Sequence, residues 1–378
     1  MVVLIAALFG AFVGSFLNVC VHRLPRNESV VKPPSRCYSC GARVRWYDNL
    51  PLLSYVVLRG KCRWCGTGFS LRYLVMEVLV AALTAVVAWA VTSGALPVAP
   101  WLGQLGVAPW LGQALAVGAL CALLWFLVVS TLIDLEHLII PDELTKSFQL
   151  AAPFLAVLVT TNTAFGWDAG GWLVSRDLFE VETVQPGVFL GRVLGIAGAG
   201  LGLLLLTLPL AKWIYSRFCP EGERWRDEDH RGFRIGVLWY AAVTVLTGAV
   251  LAVLVAVGTP VALAVSASLG QALLGSLAGW WSLYAVGLLG TMAFRRNAMG
   301  FGDVKFLAPI GAFLGPLGVL YAFLGAATAG ALVGLPLYLL TKRSQIPFGP
   351  YLALGSVLAL AVAPRIHQWL FAGVFRAM

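Results

Sequence analysis

The chain has 378 residues, 60% of them hydrophobic and 11% charged, with a mean hydropathy of +0.87. That excludes an ordinary water-soluble globular domain and makes the bilayer its solvent. The net charge of +9 raises nucleic acid as a partner, but the placement of the basic residues argues for no nucleic acid and for a topology signal instead.

In chain order, apolar runs long enough to cross a hydrocarbon core as helices are expected over 2–22, 73–92, 112–133, 147–164, 188–211, 237–258, 269–293, 304–316, 318–340 and 348–371, about ten in all. The run 304–316 is short for a full crossing. The first run is expected to stay in the mature protein, because it lacks a basic start and carries Ser15 and Asn18 near its end. With the N-terminus outside, the inside loops hold 22 of the 26 Lys and Arg, and only Arg176, Arg192, Arg365 and Arg376 fall outside. This bias satisfies the positive-inside rule and orients every helix. It puts the acidic 165–187 loop outside and residues 23–72 in the cytosol.

That first inside loop carries two C-x-x-C pairs, Cys37/Cys40 and Cys62/Cys65, each followed by a glycine. In a reducing compartment four such cysteines favour a tetrathiolate metal site over disulfides, and zinc is its natural occupant. No fifth ligand or nearby His suggests an open coordination position, so the zinc is expected to be structural. Cys20 and Cys121 read as buried small hydrophobes; Cys219 is left open.

Ionisable residues at membrane depth are costly and mark candidate sites. Asp134 ends the third run, and Asp303 lies in Gly300-Phe301-Gly302-Asp303-Val304-Lys305; both fall at the inside face. Each alone can be read as a helix-end carboxylate at the interface. Two carboxylates sharing one proton can instead activate water and protonate a leaving amine, and the glycines beside Asp303 let an extended peptide approach. The charged segment 217–234 reads as a solvated linker, with a docking surface as the alternative, and Gly195, Gly198, Gly200 and Gly202 read as helix-packing residues.

On these motifs the sequence resembles the type IV prepilin peptidases, bifunctional leader peptidase/N-methyltransferases of the GxGD aspartic protease class. The resemblance rests on Gly14-Ser15-Phe16-Leu17-Asn18-Val19 with Arg23-Leu24-Pro25, on Pro34 through Glu77 with the four cysteines, on Asp134 with Pro141-Asp142, on Gly300 to Lys305, and on Pro347-Phe348-Gly349-Pro350. It covers roughly 8–160 and 268–360, and departs at Leu74, where a proline is expected, and over 165–265. It implies Asp134 and Asp303 as catalytic residues, Gly300, Gly302, Lys305 and Asp142 as support with Glu77, and Cys37, Cys40, Cys62 and Cys65 as zinc ligands. It further implies cleavage of prepilins and pseudopilins at the cytosolic face of a bacterial inner membrane. Methylation of the new N-terminus would use S-adenosylmethionine, whose binding residues the sequence does not assign.

The expected architecture is an all-α polytopic membrane protein with a small zinc-ribbon-like cytosolic module. Its parts are a first transmembrane helix (1–22), the four-Cys domain (23–72), helices carrying the first aspartate (73–164), an insertion with two extra crossings (165–265), and helices carrying the GxGD motif (266–378). Two other readings compete. In one, Asp134, Glu136 and Asp303 relay ions in a transporter, against which stands the lack of an inverted repeat. In the other, the chain is a metal-stapled assembly scaffold with idle aspartates.

Overall fold

The computed structural model describes residues 1–96, 98–159, 186–219, 227–341 and 347–362. Within them the regular structure is helical, with isolated bridges and no strand. The helices are α1 (Val2–Arg23), α2 (Leu53–Val57), α3 (Arg72–Thr92), α4 (Trp101–Gln104), α5 (Pro109–His137), α6 (Asp142–Ala156), α7 (Pro186–Phe218), α8 (Asp227–Val257), α9 (Pro260–Phe294), α10 (Phe301–Thr341) and α11 (Gly349–Ala361). Among the described residues seven helices are long and apolar enough to cross a membrane, so this is a multi-pass membrane protein.

Every expected run contains a helix where described, but not all reach membrane length. The run expected over 147–164 is the 15-residue α6, which begins at Asp142. Residues 160–164 of it lie outside the described residues, as do 165–185 of the acidic loop, 220–226 of the charged segment and 363–371 of the last run. The runs expected over 304–316 and 318–340 are joined in α10, which breaks at Gly315 (φ 68°, ψ 174°) before Pro316. A Cβ on Gly311 would stand 3.0 Å from the Val319 side chain. Eight residues of straight helix would separate those positions by about 12 Å. The chain therefore bends sharply at Gly315.

The chain divides into two compact units, Met1–Leu96 with Gln113–Pro141, and Pro97–Gly112 with Asp142–Met378. In the first, α1 lies against α3 because Gly10 and Gly14, one turn apart, present no side chain. A Cβ on Gly10 would come within 2.6 Å of Thr84 Oγ1, and one on Gly14 within 2.9 Å of Glu77 Cα. Close approach through small residues is how membrane helices gain contact where lipid offers no hydrophobic driving force. Trp125 of α5 joins the pair by donating to Thr84 Oγ1 at 3.2 Å.

In the second unit the same device joins α9 to α10. Gly275 faces the Gly311 carbonyl, and a Cβ on Gly279 would lie 2.5 Å from the Leu307 carbonyl. The surrounding core is aromatic. Trp280 is fully buried and stacks on Tyr240 at 4.4 Å, and the Tyr240 hydroxyl shares a 2.7 Å hydrogen bond with Ser276.

Candidate functional site

The four cysteines come together as expected. Each pair sits on a tight knuckle: Gly41 N–H donates to the Cys37 carbonyl and Gly66 N–H to the Cys62 carbonyl, both at 2.9 Å. The two glycines take φ of +69° and +70°, the left-handed conformation that glycine adopts without strain. All four sulfurs lie within 4.8 Å of one another, and Cys37 and Cys65 are 3.8 Å apart. A tetrahedral zinc with bonds of about 2.3 Å spaces its sulfurs by roughly 3.8 Å, so the cluster fits a metal ion. Thr67, hydrogen-bonded to Cys65, pulls that thiol down to about 6, which favours the ligating thiolate.

Around the cluster the module has little apolar core and is braced by polar contacts. Arg63 Nε donates to both Asp48 carboxylate oxygens at 3.0 and 2.9 Å, holding that carboxyl below its usual range. Arg45 lies over the Trp64 ring at 5.1 Å. A carboxylate reaches the module from the membrane helix below: Glu77, buried on α3, accepts the Leu52 N–H at 2.7 Å. Leu52 has φ of 62°, which costs a branched residue about 1–2 kcal/mol, so the bond holds a strained turn in place.

Asp134 lies near the C-terminal end of α5 and is buried. The helix stops just beyond it, where Leu138 at φ 55° donates its N–H to the Asp134 carbonyl at 2.9 Å. Glu136 pairs with Arg72 at the start of α3, tying that end of α5 to α3 within the first unit. The buried hydroxyls of Ser130 and Thr131 precede the aspartate by one turn.

Asp303 belongs to the second unit and occupies the first turn of α10, half-buried, with its N–H donating to the Gly300 carbonyl at 3.3 Å. A Cβ on Gly300 would face the Asp303 carboxylate at 3.8 Å. The neighbouring Phe301 anchors the turn. Its ring meets Phe233 at 4.6 Å and Trp280 at 5.4 Å, and Lys305 Nζ sits 4.7 Å above it. Gly236 on α8 makes room, since a Cβ there would come within 2.8 Å of the Phe301 ring.

Two of the expected supporting residues are brought together: buried Lys305 forms an ion pair with Asp142 at the start of α6. Asp142 also pairs with Lys146 at 2.9 Å, and Gln149 donates to the Lys305 carbonyl at 3.1 Å. Burial alone would raise the Asp142 carboxyl, but the two ammonium groups outweigh it and hold it below its ordinary value of 3.8. Gly302 stands between Phe301 and Asp303 in the same turn. Cys20, Cys121 and Cys219 are all buried. Of the glycines at 195, 198, 200 and 202, only Gly200 meets a neighbour, the Leu277 side chain.

Sequence reasoning missed the aromatic box around Phe301 and the clamp of Glu77 on Leu52. The aromatic residue inside Gly-x-Gly-Asp was a usable signal for the first. Nothing in the sequence marks Leu52 as left-handed.

Comparison with known proteins places these features in a family context. The model of the bacterial peptidase A24 N-terminal domain matches residues 8–91, and that of the type IV leader peptidase family matches residues 238–335. A prepilin leader peptidase/N-methyltransferase of Aeromonas hydrophila is 27% identical over 96% of this chain and 91% of its own length. One of Pseudomonas aeruginosa is 26% identical over 97% and 92%. One of Myxococcus xanthus is 51% identical over 70 residues, which is 18% of this chain and 21% of the relative. No solved structure matches the chain.

Proposed function

We propose that the chain is a member of the type IV leader peptidase family that removes the leader from prepilin-like proteins and methylates the N-terminus so created. The observation that carries this reading is the match along almost the whole chain to prepilin leader peptidase/N-methyltransferases, with the Gly-x-Gly-Asp turn inside the leader peptidase domain. The substrates are pilins or pseudopilins, and the membrane is the bacterial inner membrane with the N-terminus outside and the reaction at the cytosolic face. The concentration of Lys and Arg on the inside loops supports that orientation.

In the proposed chemistry Asp134 and Asp303 hold one proton between them. The ionised carboxylate takes a proton from water as the oxygen attacks the peptide carbonyl, and the protonated one polarises that carbonyl and then protonates the departing amine. Phe301, Gly300 and Gly302 position the second aspartate, and the Lys305–Asp142 pair holds the first turns of α6 and α10. Zinc, held by Cys37, Cys40, Cys62 and Cys65, supplies cross-linking to a module with little core of its own. S-adenosylmethionine supplies the methyl group.

The test is cleavage of a model prepilin in detergent by wild type, Asp134→Asn and Asp303→Asn, with S-adenosylmethionine present. Wild type cuts, each variant loses at least about a hundredfold in rate, and mass spectrometry finds the methylated product N-terminus. The wild-type rate follows a bell in pH, because the pair works only while it holds a single proton. Normal cleavage by either variant removes the aspartate assignment. For the metal, purified protein carries one zinc per chain, and Cys40→Ser lowers that occupancy at least tenfold by elemental analysis.

A further inference from the structure

The segment 165–265, over which the sequence departs from the prepilin peptidases it resembles, supplies α7 and α8. Tyr215 of α7 and Phe233 and Gly236 of α8 lie outside the two stretches that the family models match, 8–91 and 238–335. All three nevertheless close on the turn that carries Asp303.

Phe301 is the handle by which α8 holds that turn. It stands between Gly300 and Gly302, which have no side chains to pack. Successive helical residues rotate by about 100°, so Phe301 and Asp303 leave the first turn of α10 on nearly opposite sides. A ring fixed on one side therefore fixes the direction of the carboxylate on the other. Buried Phe233 meets the Phe301 ring at 4.6 Å between centres and itself stacks on Tyr284 of α9 at 6.0 Å. Gly236 admits the ring, since a Cβ there would stand 2.8 Å from it and 3.0 Å from Lys305 Cε. With Phe233 and Trp280 also against it, the ring passes any push from α8 to its own backbone.

From the other side α7 holds the approach to the same turn. Tyr215, buried near the end of α7, donates its hydroxyl to Asn297 Oδ1 at 3.3 Å in the 295–300 loop that joins α9 to α10. Within that loop the Ala298 N–H donates to Thr291 Oγ1 of α9 at 3.5 Å. Tyr284 of α9 donates to the Thr207 carbonyl of α7 at 3.1 Å, tying the two helices together. Helices added only to cross the bilayer have no need to converge on one loop and one turn; these two reach it from three positions.

We infer that α7 and α8 are a positioning support for Asp303. Phe233 and Gly236 set its direction through Phe301, and Tyr215 holds the loop that leads into it. The inference rests on the proposal that Asp303 takes part in peptide cleavage. It gives the segment 165–265 a task in the reaction while the aspartates alone face the substrate.

The experiment uses the full-length protein in detergent. It measures kcat, KM and the pH profile of model-prepilin cleavage, with thermal unfolding alongside, for wild type, Asp303→Asn, Gly236→Ala, Phe233→Leu and Tyr215→Phe. Gly202→Ala on α7 is the control and keeps the wild-type rate and profile. Gly236→Ala and Phe233→Leu are expected to lower kcat at least roughly tenfold, since misplacement by about 1 Å can cost about a hundredfold. KM stays within about twofold, because the lost interaction serves the transition state. Tyr215→Phe is expected to lower kcat about threefold. The width of the pH bell reports how strongly the two carboxylates couple, so it changes in Gly236→Ala and Phe233→Leu. A smaller folded fraction lowers the rate without altering the shape of the bell. A bell of wild-type width in folded Gly236→Ala and Phe233→Leu overturns the inference, even where kcat falls, and leaves the proposed function standing. An unchanged rate in Tyr215→Phe overturns the part given to α7. Cleavage by Asp303→Asn at the wild-type rate removes the inference together with the aspartate assignment. If Gly236→Ala does not fold, Phe233→Leu, which adds no bulk, decides the question.

Discussion

At Lys305 an ammonium group is buried on a membrane helix, and its partners are unequal. Asp142 is its ion-pair partner and Phe301 offers only a ring face. Asp142, with about a third of its side chain exposed, has both Lys305 and Lys146. Removing the carboxylate therefore leaves a buried charge without its counter-ion, whereas removing the lysine leaves a carboxylate that still has one. Asp142→Asn is expected to cost about 3 kcal/mol, and Lys305→Met clearly less, by thermal unfolding in detergent. Equal losses would mean that the pair is not the source of the asymmetry. The pH dependence has a definite sign. The folded-state Asp142 carboxyl lies below its ordinary value of 3.8. The stability it contributes is thus full above about pH 4 and is lost as pH falls through the lower folded value, with no change between about pH 6 and 8.

Helix contact in this protein is made by glycine, and the effect of adding a methyl group depends on which glycine receives it. Gly275→Ala would drive a Cβ into the Gly311 carbonyl and force α9 from α10. Gly202 on α7 is exposed and meets nothing within 4 Å, so Gly202→Ala is expected to be neutral, or to stabilise by up to about 1 kcal/mol through helix propensity. Thermal unfolding of the two variants should move in opposite directions or leave Gly202→Ala unchanged; a comparable loss in both would refute the packing account. The contrast also shows what the sequence made legible. Apolar run length located nearly every helix, and the paired C-x-x-C spacing foretold a cluster that the fold closes around. Which glycines lie at a contact was not readable, since Gly275 and Gly202 stand in equally apolar surroundings and differ only in the neighbour across from them. The Glu77–Leu52 clamp was hidden for the same reason: it depends on a backbone angle, and leucine gives no sign of a left-handed one.

Across the whole molecule, charge and helix length make conflicting demands at α10, and the bend at Gly315 reconciles them. Counted as one apolar helix, Phe301–Gly334 is long enough to cross the membrane. On the proposed orientation, a single crossing would carry the chain from the inside at Arg295 and Arg296 to the outside by the sequence position of Lys342 and Arg343, against the positive-inside rule. The arm before the bend, residues 301–314, is about 21 Å long, short of a hydrocarbon core of roughly 30 Å. A chain that enters from the cytosolic face, turns at Gly315-Pro316 and returns satisfies both the arm length and the charges. It also keeps Asp303 near the face where the aspartates are proposed to work. A green fluorescent protein fused after Arg343 is accordingly expected to fluoresce in cells, and alkaline phosphatase fused at the same point to be inactive. Active phosphatase with a dark fluorescent fusion would make α10 a single crossing. The bend would then be a kink within it, and the orientation inferred for everything downstream would reverse.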